Sequence, residues 1–82
     1  MEITIDTVYE VQTLLEGKSP FRPKFKIPSD FEPSDLLKVT NIVEDTVYAI
    51  EMDNLTHECD YDKNEWTFDK KEFLSNTLIP NI

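Results

Sequence analysis

Leu36-Leu37-Lys38-Val39-Thr40-Asn41-Ile42-Val43-Glu44-Asp45-Thr46-Val47-Tyr48-Ala49-Ile50-Glu51-Met52 is the stretch on which the fold turns. Two runs rich in β-branched and aromatic residues flank a two-residue polar break, the pattern of a β-hairpin. Glu44-Asp45 lacks the Asn-Gly chemistry of an ideal tight turn, so the composition leaves loop length and strand register open.

C-terminal to this hairpin, Asp53-Asn54-Leu55-Thr56 reads as a polar connection. A second hairpin is expected beyond it, from His57-Glu58-Cys59-Asp60-Tyr61 through a turn at Asp62-Lys63-Asn64-Glu65 into Trp66-Thr67-Phe68. Asp69 and Glu72 then stand three apart, the spacing of a capping box, which predicts a helical turn over 70–74. Leu78-Ile79 can form a last short strand before Pro80.

On the N-terminal side, Lys18-Ser19-Pro20-Phe21-Arg22-Pro23-Lys24-Phe25-Lys26-Ile27-Pro28 holds four of the eight basic residues and three prolines. Proline at that spacing excludes a helix, and Phe25 and Ile27 alternate with lysines as in a short edge strand. Residues 29–35 read as a loop anchored by Phe31. Further back, Ile3 and Ile5 alternate with polar residues, and Thr7 and Glu10 again match a capping box. Val8, Val11 and Leu15 share one helical face and Gly17 suits a left-handed helix end, so a helix is expected over residues 8–16.

The expected architecture is α+β, mainly β, in one domain of 82 residues. Residues 1–17 would supply an N-terminal strand and helix, and residues 18–82 a small barrel of about five strands with a helical turn before the last. This element order resembles the SH3-like small β-barrel. The resemblance implies a five-stranded, partly open barrel, and the proline-binding aromatic groove of true SH3 domains has no identifiable counterpart here. The small, acidic, lysine- and asparagine-containing character also resembles accessory proteins of phages and prophages. A chain this short buries only about 60–65% of the surface it exposes when unfolded, so it holds a single small core.

Charge narrows the function. Residues 41–69 carry nine carboxylates against one cation, Lys63, and so supply eight of the nine net negative charges. Such a surface repels the phosphates of nucleic acids and membranes and steers basic protein surfaces toward it. The expected partner is therefore a protein with a basic surface, with no direct nucleic-acid or membrane contact; the oligomeric state is not legible. The lone cysteine, Cys59, excludes an internal disulfide and a thiolate zinc site, and the lone glycine excludes a glycine-rich phosphate loop. Acids near the N-terminus and the lack of a long apolar run point to the cytoplasm.

Four constellations invite chemistry. Asp60, Asp62 and Asn64 match the first, third and fifth ligands of an EF-hand loop, but Glu65 stands where the turn needs glycine and Lys71 where a glutamate must close the site. His57 and Cys59 lie two apart, yet Glu58 and Asp60 would raise the thiol's pKa and oppose a thiolate nucleophile. Carboxylate pairs lack the cleft that general acid and base work requires. The cations of residues 18–26 are better spent neutralising the acidic face than on nucleic acid. No catalytic residue, metal or cofactor is expected.

Aromatic residues offer the binding alternative. Trp66 and Phe68 share a strand face that in a small domain is the interior, whereas an exposed Trp or Tyr ringed by carboxylates would be a hot spot for a basic partner. The candidate contact set is Tyr48, Glu58, Asp60, Tyr61, Asp62, Glu65 and Trp66. The function expected is a non-enzymatic, acidic protein-binding module, in its most specific form a phage- or mobile-element-encoded inhibitor of a nucleic-acid-binding host protein. A special case is nucleic-acid mimicry, with Glu58, Asp60, Asp62 and Glu65 at phosphate positions. The alternatives are an assembly subunit of a larger particle and, third, a small enzyme.

Overall fold

The computed structural model describes residues 3–19, 30–58 and 65–79. The central hairpin forms as read. β4 (Leu36–Val43) and β5 (Thr46–Met52) pair antiparallel and are joined by Glu44 and Asp45, with Glu44 in the left-handed region at φ 54°. Leu37, Val39, Val47 and Ala49 alternate onto one face and are fully buried. A register shift between Val39 and Asn41 bulges the strand at Thr40, after which Ile42 packs inward and Asn41 faces out.

Around this hairpin, β1 (Val8–Val11) pairs with β4, β6 (Trp66–Asp69) with β5, and β7 (Thr77–Leu78) with the outer side of β1. The sheet order is β6-β5-β4-β1-β7, antiparallel throughout. β2 (Leu15–Glu16) and β3 (Asp30–Phe31) make a separate two-stranded ribbon. α1 (Lys70–Asn76) follows β6 directly. As the capping spacing predicts, Asp69 is its N-cap, its Oδ2 accepting from the Glu72 amide at 3.3 Å. α1 is the one helix among the described residues.

The helix expected over residues 8–16 is overturned: that segment holds β1 and β2. Val8, Val11 and Leu15 fit a helical face, but Tyr9 and Val11 fit a strand face equally well, and both are buried. Tertiary pairing decides between the periods, because β1 finds ladder partners on both sides. Leu14, next to the buried Leu15, is 61% exposed. Gly17 does not take a left-handed conformation. Its lack of a side chain serves packing instead, since a Cβ there would lie 2.6 Å from Phe68 Cε1 and 2.9 Å from Phe31 Cε2.

Barrel closure is overturned as well. The five-stranded sheet stays open, with β6 and β7 at opposite edges and no ladder between them. Among the described residues, the β2–β3 ribbon reaches the main sheet through one bridge, where Lys18 and Thr67 exchange backbone hydrogen bonds of 3.1 and 2.7 Å. Closure requires strands long enough to tilt and stagger around an axis, and β2, β3 and β7 have two residues each. The ribbon and α1 cover the apolar face in place of closure. Leu15 and Phe31 come from the ribbon and Phe73 from α1, all buried against the sheet.

Five aromatic rings in mutual contact run through this core. Tyr9 meets Phe73 edge-on at 5.2 Å, Phe73 meets Phe68 at 5.4 Å, Phe68 meets Phe31 at 5.4 Å, and Phe31 meets Trp66 at 5.2 Å. Edge-to-face contacts of this kind add about 0.5–1.5 kcal/mol each beyond simple burial. They tie sheet, ribbon and helix into one core.

The second expected hairpin is realised in part. β6 is present and pairs with β5, but residues 53–58 form a tight turn and His57 and Glu58 lie in no strand. The 29–35 loop is also shorter than expected, because Asp30 and Phe31 pair with β2. The lysine-bearing strand expected around Phe25 and Ile27 and the turn at 62–64 lie outside the described residues.

Candidate functional site

Of the expected contact residues, the structure draws together Tyr48 and Glu65. The bulge turns Thr40 so that its Oγ1 bonds the carbonyl oxygen of Tyr48 at 3.2 Å and the Glu65 carboxylate as well. Tyr48 and Glu65 are both half-buried beside it, on the face of the sheet opposite the core. Trp66 belongs to the interior, 4% exposed against Phe31. Asp60, Tyr61 and Asp62 lie outside the described residues, as do Cys59 and Asn64.

Glu58 closes the turn that begins at Asp53. Its carbonyl accepts from the Asp53 amide at 2.9 Å, and the Asp53 carbonyl accepts from the His57 amide at 2.9 Å. Asp53 Oδ1 accepts from the amides of Leu55 and Thr56 at 2.8 and 2.9 Å. The Thr56 and Leu55 amides hold the Asp53 carboxyl below its ordinary value, with a smaller contribution from the nearby His57. His57 sits at φ 57°, so it is a turn residue and not part of a strand face with Cys59. Among the described residues no group of three or more His, Cys, Asp or Glu side chains is placed to hold a metal ion.

Another acidic surface lies on the β2–β3 ribbon. Leu15 pairs with Phe31 on its buried face, and Glu16 pairs with Asp30 on its exposed face. Directly opposed residues in such a ladder hold their Cβ atoms about 5 Å apart, where like charges destabilise the pairing. A groove opens beside each carboxylate. One, of about 420 Å³, is lined by Glu16, Gly17, Lys18, Thr46, Thr67, Phe68, Asp69 and Glu72. The other, of about 240 Å³, is lined by Asp30, Phe31, Asp35, Leu36, Glu51 and Met52.

Each groove thus carries three carboxylates; among the described residues Lys18 lines the first and no cation lines the second. Local hydrogen bonds fix two of the six. Asp69 caps α1, and Asp35 Oδ2 accepts from the Glu32 amide at 2.8 Å across a turn in which Ser34 is left-handed at φ 83°. In the second groove Leu36 and Met52 add half-buried apolar wall beneath Asp30, Asp35 and Glu51. That combination suits a lysine or arginine side chain, whose methylene stem packs on apolar surface while its charged head meets oxygen acceptors.

Sequence reasoning overlooked Glu16, Asp30, Asp35 and Glu72 as site residues. Their one early signal is the spacing of acids about buried residues: Glu16 follows Leu15, and Asp30 precedes Phe31. No family model, curated protein or solved structure matches this chain.

Proposed function

We propose that this chain is a protein-binding module whose acidic ribbon engages a basic surface of another protein. The observation that supports it most directly is the opposition of Glu16 and Asp30 between two acid-lined grooves. A like-charge pair set across a two-residue ladder lowers stability in the free protein, and a cationic partner turns the same pair into an attraction. The net charge of −9 adds long-range steering.

The specific form of this reading is a small modulator carried by a phage or other mobile element, acting on a nucleic-acid-binding protein of its host. Glu65 with Tyr48 beside it, on the face of the sheet opposite the ribbon, and Glu58 in the Asp53 turn form a separate candidate contact surface.

Affinity capture from a host lysate, washed at low and then at high salt, tests the proposal. A single dominant protein released by salt is the expected result. Capture that is indifferent to salt, or that retains nucleic acid in the absence of protein, would contradict it.

A further inference from the structure

The β7 edge carries a second surface, of opposite character to the acidic ribbon. After Glu72 the sequence contains no charged side chain through Ile82, the longest uncharged run in a chain that is 30% charged. This run supplies the outer strand of the sheet. Among the described residues β7 has a ladder partner on one side, β1.

The hydrogen-bond alternation shows which backbone groups face outward. Val11 directs its amide to the Asp35 carbonyl and its carbonyl to the Ser34 amide, both on the β4 side. Gln12 directs its amide the other way, to the Asn76 carbonyl at 2.6 Å. Glu10, in phase with Gln12, therefore faces β7 and forms the hydrogen-bonded pair with Leu78. The alternation leaves the carbonyl of Thr77, and both the amide and the carbonyl of Ile79, directed away from the sheet. Leu78 and Ile79 are 53% and 50% exposed at the same edge.

We propose that this edge docks a second copy of the chain, β7 pairing antiparallel with its symmetry mate about a two-fold axis at Leu78. In that register Thr77 of one copy faces Ile79 of the other, and each Ile79 amide donates to a Thr77 carbonyl. Leu78 meets its own mate as a non-hydrogen-bonded pair, the closer of the two antiparallel geometries, with Cα atoms about 4.5 Å apart. The two sheets become one continuous ten-stranded sheet.

Charge selects this partner and this edge. Copies bearing −9 each repel one another over most of their surface, so self-association is restricted to where charge is missing. The nearest carboxylate on the sheet, Glu10, would lie three strand spacings from its mate, about 14 Å, beyond the screening length at physiological salt. The acidic ribbons are carried on the other end of each sheet, so the dimer presents them twice. With a two-residue edge strand the buried area falls well short of the roughly 1,600 Å² of a standard interface, so the dimer is weak and concentration-dependent.

Sedimentation of the full chain over a concentration series tests this together with two variants. The wild type is expected to pass from monomer to dimer with a midpoint on the order of 100 μM, and Leu78→Lys to raise that midpoint at least tenfold by placing two ammonium groups at the axis. Leu78→Cys in a Cys59→Ser background is expected to oxidise to a disulfide-linked dimer, because a cross-strand pair at this separation matches disulfide geometry. Leu55→Cys in the same background, on an exposed turn, serves as the comparison. A wild type that stays monomeric at millimolar concentration overturns the proposal. So does an unchanged midpoint in Leu78→Lys, or a Leu78→Cys chain that cross-links no faster than Leu55→Cys. The cross-linking rate also decides the question if Leu78→Lys impairs folding.

Discussion

Glu16 and Asp30 face each other across the β2–β3 ladder, two exposed carboxylates above the buried pair Leu15 and Phe31. Hydrophobic burial holds the ribbon together, and the charges oppose it. Neutralising one of them, as Asp30→Asn, should raise stability by about 0.2–1 kcal/mol at low ionic strength. The gain should shrink in molar salt, where the screening length falls to about 3 Å. Urea denaturation of both chains at two salt concentrations measures it; a loss of stability at low salt would show that the pair is not repulsive.

Gly17 is expected to tolerate no side chain. A Cβ would enter within 3 Å of Phe68 and Phe31, whose rings are fixed by their contacts with Phe73 and Trp66. Gly17→Ala should therefore destabilise the fold by about 1–3 kcal/mol through overpacking. The same substitution would be stabilising if the segment were helical. A thermal melt of the variant separates the two outcomes by the sign of the shift.

Phe73 is the one fully buried side chain of α1 and touches both Tyr9 and Phe68. Phe73→Ala should cost about 3–5 kcal/mol, a large share of the stability of so small a domain. Far-ultraviolet circular dichroism would show a chain unfolded or nearly so at ambient temperature. Leu74→Ala, at a half-buried neighbouring position, should cost much less.

The Asp53 turn carries a pH dependence of defined sign. Its carboxyl is held below the ordinary value of 3.8 by the amides of Thr56 and Leu55, so the unfolded chain takes up the proton at higher pH than the folded one. The turn's stabilisation is complete above the unfolded value and is lost as pH falls through the folded one. The Leu55 and Thr56 amide proton shifts should titrate with a midpoint under 3.8, and Asp53→Asn should remove the titration. A midpoint above 3.8 would show that these bonds do not form in solution.

The central hairpin and α1 were legible because each has a local cause: two β-branched runs about a two-residue break, and a carboxylate cap three residues before its amide partner. Residues 8–16 were not, because Val8, Val11 and Leu15 satisfy the helical period while Tyr9 and Val11 satisfy the strand period. Only the pairing of β1 with both β4 and β7 resolves them. Trp66 was assigned both to the interior and to a contact surface, and its ring contact with Phe31 places it inside. The acidic grooves escaped the sequence for a different reason. Glu16 and Asp30 are far apart in the chain, and it is the ladder that sets them opposite each other.

The most direct measurement is parallel affinity capture with the wild type and with a Glu16→Gln/Asp30→Asn/Glu51→Gln chain, three exposed carboxylates whose loss leaves the core untouched. A basic protein is expected to be retained by the wild type at low salt, released at high salt, and retained at least tenfold less by the variant. Equal retention by both chains would contradict the claim that the acidic ribbon is the binding surface.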